Sequence, residues 1–425
     1  MSRLHFYAEP IVKVSIEPRN PSQRPALVKG LKLLNQADPC VKTHVEESGE
    51  LTLLTAGEVH LERCLADLRE RFSADIDGLI VSEPIIPFME TIVQNPKVDR
   101  LNEVIEINDK SRDKRKEESI VISTAGKTHS FKIRAIPLSK EIVDILLNYA
   151  SVLGLFDKRV KQNSSENVDA AAADRKNLNQ LRCRLKDAFS NCWHAAKKDP
   201  SSTCNFFNSL QTENEARRLA DSVWGFGPKK ARCNLLINCI PNYGDRPSLW
   251  ESISDNNEPS RTETRKYREF DQSVVSGFQL RCAAGPLCEE PLRGVGFIIE
   301  EWERNNDIGS TSDSYGATSG QIITTIREGC KQAFQAQPQR LLAAMYSCNT
   351  QATTEVLGKV YAVLSKRGGR VLKEEMKEGT NLFEISAALP VVESFGFAEE
   401  LRKRTSGLAY PQLVFSHWEV SSVHM

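Results

Sequence analysis

Apolar residues recur along the first ninety residues with two periodicities, one typical of strands and one typical of helices. Residues 9–17 are apolar at alternate positions, whereas Leu27, Leu31 and Leu34 recur at helical spacing. The predicted elements are strand 9–17, helix 24–37, two strands joined by a turn at 47–49, helix 57–72 and a strand at 75–79. This order predicts a ferredoxin-like βαββαβ domain over residues 1–88.

The same order of elements recurs over residues 338–425 and predicts a second ferredoxin-like domain. Its predicted elements are strand 341–348, a helix ending at 368–369, strands 370–375 and 382–389, helix 393–404 and strand 413–418. Residues 89–337 form a longer region of mixed helices and strands. Three polar segments in it, near 110–119, 162–179 and 252–268, are predicted to be surface insertions or mobile loops. The fold class is therefore α+β.

Charge and cysteine content restrict the classes of function. The chain has 425 residues, with 56 basic and 56 acidic side chains, so no global field attracts it to nucleic acid. No apolar run approaches the ~20 residues that cross a bilayer. The 11 cysteines are scattered without a C-x-x-C pair, which favours reduced thiols in a cytosolic protein.

Catalytic, metal and nucleotide signatures are missing from the sequence. His60 and Glu62 are two positions apart on a predicted helix and therefore face different directions, which favours a capping or interface role for His60. Gly126-Lys127-Thr128 is similar to the end of a P-loop, but Val121 stands where the first glycine is required. We therefore predict no catalytic residue and no metal ligand, and a strand-connecting turn at 126–128.

Several short motifs occur in a fixed order along the chain. They are Ala56-Gly57-Glu58 with His60-Leu61-Glu62, Trp224–Pro228, Ser273–Gln279 with Gly285–Glu290, Gly320–Ile323, Glu393–Phe397 and Ser406–Trp418. Together they resemble domains three to five of the elongation factor G and elongation factor two superfamily. The resemblance implies that residues 89–337 form a domain four with a ribosomal-protein-S5-like α/β fold. It also implies a chain that lacks its superfamily's G domain, as a fragment or a splice form would.

The expected tip of domain four distinguishes two branches of this superfamily. A true translocase carries a histidine there, just before the motif that Gly320-Gln321 begins. This histidine is modified to diphthamide. This chain has no histidine between His194 and His417. Together with the polar insertions, that absence resembles the elongation factor-like GTPase of ribosome biogenesis. The resemblance makes the tip residues candidates for partner contact, namely Asp313, Ser314, Tyr315 and Gly316.

The resemblance implies a set of partners and a location. The expected function is that of a ribosome-binding, non-catalytic part of a GTPase in cytoplasmic maturation of the large ribosomal subunit. The expected partners are the large subunit with its RNA, the Shwachman–Bodian–Diamond protein and, indirectly, the anti-association initiation factor six. GTP and Mg²⁺ would bind the absent G domain, so no cofactor is expected in this chain, and no membrane contact is expected.

Two basic clusters near the carboxyl terminus are the candidates for contact with ribosomal RNA. Lys366, Arg367 and Arg370 surround a predicted glycine turn, and Arg402, Lys403 and Arg404 end the next predicted helix. Cations at helix carboxyl ends are also favoured by the helix dipole, so both explanations stay open. We expect Arg367 and Arg370 to lie on an exposed turn, where substitution by alanine costs under about 0.5 kcal/mol.

Three other functions stay open at this point. The chain is compatible with a fragment of an elongation factor two-like translocase, which the absent histidine disfavours. It is compatible with a stand-alone RNA-binding or ribosome-associated protein, although clustered aromatic residues for base stacking are missing. A stand-alone enzyme with a site formed between domains is the third alternative, and nucleotide binding by the purified chain would distinguish it.

Overall fold

The structure is a computed structural model that describes residues 10–46, 49–73, 76–93, 119–154, 168–198, 205–229, 231–241, 265–304, 315–377 and 381–420. Its contacts divide the chain into two compact units. The first unit combines residues 1–88 with residues 342–425, and the second comprises residues 89–341. The sequence predicts 1–88 and 338–425 as separate domains, whereas the contacts place these two regions in one unit.

The amino-terminal part of the first unit has ferredoxin-like topology. Its elements are β1 (Val12–Pro18), α1 (Arg24–Ala37), β2 (Lys42–Val45), β3 (Leu51–Thr55), α2 (Glu58–Asp67) and β4 (Leu79–Val81). The sheet order is β2-β3-β1-β4, and β1 pairs antiparallel with both neighbours. A π-helical turn over Leu68–Phe72 continues α2 to the predicted end of the helix, and the last strand begins at Leu79, later than predicted, directly after Gly78 with φ 89°.

The carboxy-terminal part of the first unit repeats this topology. The corresponding elements are β11 (Gln339–Thr353), α9 (Leu357–Lys366), β12 (Arg370–Met376), β13 (Leu382–Pro390), α10 (Phe397–Thr405) and β14 (Ala409–Val420). The sheet order β12-β13-β11-β14 is equivalent to that of the first part. Both helices pack on one face, where Val360, Val363, Phe397 and Leu401 are buried together. The α+β class with two ferredoxin-like parts is thus confirmed.

The second unit is built on a mixed five-stranded sheet. The five strands of the sheet are β6 (Ile120–Ser123), β7 (His129–Pro137), β8 (Val223–Gly227), β9 (Asn234–Asn238) and β10 (Val295–Arg304), and a short strand β5 (Met89–Ile92) lies outside this sheet. Its helices are α3 (Lys140–Asn148), α4 (Val168–Lys198), α5 (Asn205–Ser209), α6 (Glu213–Asp221), α7 (Arg265–Ala283) and α8 (Tyr315–Gln335). The sheet order is β6-β7-β10-β9-β8, in which β10 runs parallel to β9 and antiparallel to β7.

Two cores lie on opposite faces of this sheet, because neighbouring residues of β10 belong to different cores. Ile298 packs with residues of α3, α4 and α6, whereas Phe297 and Ile299 pack with residues of α7 and α8. Among the described residues, no helix combines the length and the apolar character that crossing a membrane requires.

The segment near 162–179 is helical from residue 168 onward, so this part of the predicted insertion is not a loop. Helix α4 begins at Val168, and Leu178 is buried in a core with Leu181 and Leu185. The composition of residues 162–179 is polar, but the apolar spacing that begins at Leu178 continues into a buried helix. The insertion near 110–119 lies outside the described residues apart from Ser119. The one near 252–268 also lies outside them, apart from the start of α7.

Burial of His129 predicts a pH dependence of stability in the second unit. The ring is 2% exposed and its Nδ1 accepts a hydrogen bond from Trp302 Nε1 at 3.2 Å. Burial, assisted by the charge of Arg304, lowers the His129 pKa from 6.5 to about 4. Between these values the unfolded chain binds a proton that the folded chain does not, so stability falls as the pH falls.

We expect the His129 contribution to cost about 2–3 kcal/mol of unfolding free energy between pH 7 and pH 4.5. Urea unfolding of the wild type and of His129→Gln at both pH values measures it. The glutamine can still accept from Trp302 but does not titrate, so its stability should decline less steeply with acid. Equal declines in the two proteins would assign the acid sensitivity to other groups.

Candidate nucleic-acid interface

The basic residues singled out in the sequence lie at the carboxyl ends of α9 and α10. Helix α9 ends because Gly368 has φ 63°, and the amide of Gly369 then donates to the carbonyl of Leu364 at 2.8 Å. Helix α10 ends in the same way, with Ser406 at φ 53° and the amide of Gly407 donating to the carbonyl of Arg402 at 2.9 Å. Both ends place cations where the helix dipole favours them.

One carboxylate, that of Glu400, joins the two helix ends. Its Oε1 accepts from Lys366 at 3.0 Å and lies 3.0 Å from an Arg404 nitrogen. Its Oε2 accepts from both Nε and Nη2 of Arg367, at 3.0 and 2.8 Å. The hydrogen bonds from Arg367 and then Lys366 lower the pKa of Glu400 from 4.5 to about 2. Glu400 therefore stays ionised across the physiological range.

Arg367 does not lie on an exposed turn, and that expectation is wrong. Its side chain is 19% exposed, and its Nη1 donates to the backbone carbonyls of Glu393 and Phe395 at 2.8 and 2.6 Å. The guanidinium reaches from the α9 end to the segment before α10, so Arg367 is held by the fold. Its substitution should cost stability, contrary to the sequence-based expectation.

The remaining cations are more accessible than Arg367. Lys366, Arg370, Lys403 and Arg404 have exposed fractions of 61%, 62%, 74% and 46%. Arg370 pairs with Glu419 at 2.9 Å, and Lys403 pairs with Glu399 at 2.7 Å. Arg402 is exposed and, within the described part of the chain, has no carboxylate at ion-pair distance.

We name as the basic cluster the set of Lys366, Arg367, Arg370, Arg402, Lys403 and Arg404. Five of its six cations share three paired carboxylates, those of Glu399, Glu400 and Glu419. The local surplus of positive charge contrasts with the zero net charge of the chain. Exposed ammonium and guanidinium groups around a glycine turn are suited to the phosphate oxygens of a nucleic acid backbone.

The second candidate, the domain-four tip, lies at the edge of the described residues. Asp313 and Ser314 are outside them, and Tyr315 and Gly316 begin α8. Their candidacy for partner contact stays a prediction.

Residues 126–128 form a turn between two strands, as the sequence predicted. Lys127 has φ 52° and donates its amide to the carbonyl of Thr124 at 2.8 Å, which closes the connection between β6 and β7. A P-loop instead connects a strand to a helix whose first amides contact the phosphates. These residues therefore do not fit GTP or its Mg²⁺.

A cluster that sequence reasoning did not assemble lies beside α2. Ligand atoms of Asp38, His60 and Cys64 lie within 4.8 Å of one another. The amide of Ala56 donates to His60 Nδ1 at 3.1 Å, which places the ring proton on Nε2, and Nε2 then donates to Asp38 at 2.8 Å. That tautomer has no Nε2 lone pair for a metal ion, and burial raises the pKa of Cys64 to about 12. The arrangement instead fixes the start of α2, which is the capping role that the sequence favoured for His60.

The motif at 56–62 also joins the two ferredoxin-like parts. Tyr346 of β11 donates its hydroxyl to the carbonyl of Ala56 at 2.7 Å, and Glu58 accepts from the amide of Gly396 at 2.8 Å. Ala344, Tyr346 and Val391 share one apolar core with residues of the amino-terminal part. Two motifs that are more than 300 residues apart therefore meet in one packed joint.

Parts of the sequence match the models of three known domain families. Elongation Factor G, domain III, matches residues 7–78, and the Elongation factor G C-terminus matches residues 340–425. Between them, the Elongation factor-like GTPase 1-like domain matches residues 134–239. None of these three models describes a G domain.

Curated relatives align with nearly the whole chain. Elongation factor-like GTPase 1 of Homo sapiens is 42% identical over 477 residues, covering 98% of this chain and 40% of the relative. Ribosome assembly protein 1 of Schizosaccharomyces pombe is 37% identical, covering 97% of this chain and 38% of the relative. Ribosome assembly protein 1 of Saccharomyces cerevisiae is 36% identical, covering 99% and 34%. The chain thus spans 34–40% of the length of these relatives.

Proposed function

We propose that this chain, whose sequence fits the carboxy-terminal half of the elongation factor G superfamily, is the ribosome-binding part of a translational-type GTPase in large-subunit maturation. The names of its relatives fit a translational GTPase family in ribosome assembly. The observation that carries the proposal is the basic cluster, because it is the local positive surface that a chain of zero net charge needs for contact with RNA phosphates.

The finer parts of the proposal concern partners and location. We propose that the complete factor works in the cytoplasm with the Shwachman–Bodian–Diamond protein and promotes release of the anti-association initiation factor six. The support is the branch resemblance, in which the absent tip histidine argues against a decoding-centre role. In this proposal the present chain transmits a nucleotide-dependent rearrangement of the G domain to the large subunit.

The chain itself is proposed to be non-catalytic. GTP and Mg²⁺ would be held by a G domain, where Mg²⁺ supplies charge stabilisation to phosphoryl transfer. The residues of this chain would bind and orient the factor on RNA. A titration with a fluorescent guanine nucleotide should show no saturable binding, and micromolar affinity would instead support a stand-alone enzyme.

Cosedimentation with purified ribosomal subunits tests the proposal. The chain should pellet with isolated large subunits in a saturable and salt-sensitive way, and much less with small subunits, since its family resemblance is to a factor of large-subunit maturation. Equal binding to both subunits would indicate a general RNA-binding protein. Binding to neither would contradict the proposed function.

A further inference from the structure

The segment from Glu393 to Gly396, just before α10, is held from two sides by residues distant in sequence. Arg367 of the basic cluster donates to the carbonyls of Glu393 and Phe395. Glu58, the first residue of α2 in the other ferredoxin-like part, accepts from the amide of Gly396 at 2.8 Å. The segment therefore lies in a continuous path of hydrogen bonds from the basic cluster to α2.

Gly396 makes this path geometrically possible. Its φ of 68° is in the left-handed region, which turns the chain sharply into α10 and leaves its amide free of the helix. The carbonyls of Glu393 and Phe395, which precede this turn, accept from Arg367. Carbonyls on one side and an amide on the other are thus each paired with a charged side chain, and such bonds are among the stronger hydrogen bonds in proteins.

We infer that Arg367 is a positioning residue that couples phosphate binding at the basic cluster to the start of α2. The inference rests on the proposed function for the nature of its ligand, a nucleic acid phosphate. It assigns Arg367 a different role from those of Lys366, Arg402, Lys403 and Arg404. These exposed cations contact the phosphates, while Arg367 transmits the effect of phosphate binding to the Glu393–Gly396 segment.

Competition for Glu400 supplies the physical step. Lys366 and Arg404 contact Oε1 of Glu400, and Arg367 contacts Oε2. A phosphate that draws Lys366 and Arg404 away leaves both carboxylate oxygens to Arg367, whose planar fork suits a bidentate pair. A more firmly held guanidinium stabilises the Glu393–Gly396 turn, and the Gly396 amide then holds Glu58 more firmly.

Hydrogen exchange on the full chain, with and without a short RNA duplex, tests this coupling. On saturation with the duplex, exchange at the amides of Gly396 and of residues 58–61 should slow about fivefold, the lower end of coupling commonly found between sites. Fluorescence anisotropy of the labelled duplex measures binding separately. The two readouts distinguish the coupling from the binding itself.

Arg367→Lys is the informative variant, because it keeps the charge of the cluster but loses the guanidinium fork. We expect its duplex affinity to stay within about twofold of the wild type with the same salt dependence. Binding to phosphates depends mainly on positive charge, which lysine keeps. The duplex-induced slowing at Gly396 and at 58–61 should disappear. Arg71→Lys, at an exposed position outside the basic cluster, is the control and should retain it.

Each other outcome overturns the inference. If the wild type binds the duplex without slower exchange at 396 and 58–61, Arg367 is merely structural and the proposed RNA contact still stands. If Arg367→Lys retains the slower exchange, the coupling between the basic cluster and α2 does not depend on the Arg367 guanidinium. If the wild type does not bind the duplex, both the coupling and the phosphate contact on which it rests are wrong.

Discussion

Glu90→Ala is expected to lower the unfolding free energy of the second unit by about 3–5 kcal/mol. Glu90 is fully buried on β5, and its carboxylate accepts from the amides of Leu287, Cys288 and Glu290 at 2.9, 2.8 and 3.2 Å. Alanine would remove the carboxylate to which these three amides donate and would open a cavity beside Gly285. A side chain at Gly285 would overlap Glu90, whose Oε2 lies 2.2 Å from the position of a Cβ there.

Urea unfolding, together with hydrogen exchange at residues 287–290, measures this effect. Glu289→Gln is a matched control, because this exposed carboxylate belongs to the same loop and its change should cost under about 0.5 kcal/mol. Glu90→Gln should also destabilise, since its amide NH₂ would face backbone donors. Unchanged stability of Glu90→Ala would mean that the loop does not depend on this carboxylate.

Tyr346→Ala is expected to destabilise the first unit by about 3–5 kcal/mol, in the range for large aromatic side chains removed from a core. Tyr346 is 2% exposed and packs in the core that both ferredoxin-like parts share. Its hydroxyl donates to Ala56, and burial raises its pKa to about 12. Both parts should therefore lose stability together.

Two further variants separate the components of this effect. Tyr346→Phe keeps the ring and removes only the hydrogen bond to Ala56, so it should cost about 1–2 kcal/mol. Tyr410→Ala, at a position 64% exposed, is the control and should change little. If Tyr346→Ala melted residues 342–420 while leaving 10–81 protected from exchange, the two parts would not share one cooperative core.

Local patterns were sufficient to predict the two ferredoxin-like parts. The strand alternation of residues 9–17 and 382–389, and the helical spacing that ends at Gly368-Gly369, reflect periodicities and turn preferences within a few residues. The observed boundaries differ by a few residues, as at β4, where the strand begins at Leu79 instead of residue 75.

Non-local partners were not predictable from such patterns. Arg367 and Glu400 are 33 residues apart, and Glu58 and Gly396 are 338 apart, so neither pair leaves a sequence signal of its own. The basic cluster was found by composition, but the division between exposed cations and the held Arg367 needed the fold. Composition was misleading at 168–179, where residues of polar and alanine-rich composition belong to helix α4, which contributes Leu178 to a buried core.

The salt dependence of binding to isolated large subunits tests the central claim most directly. We compare the wild type with the triple variant Lys366→Gln, Arg402→Gln and Lys403→Gln. A second triple variant, Arg63→Gln, Arg69→Gln and Arg71→Gln, removes the same charge from exposed positions elsewhere in the first unit.

If the basic cluster contacts phosphates, the first triple variant should bind more weakly. Its log–log salt slope should be smaller by roughly three, about 0.9 per lost contact in the duplex form. The second triple should keep the wild-type slope. A first triple that binds with wild-type affinity and slope would contradict the account.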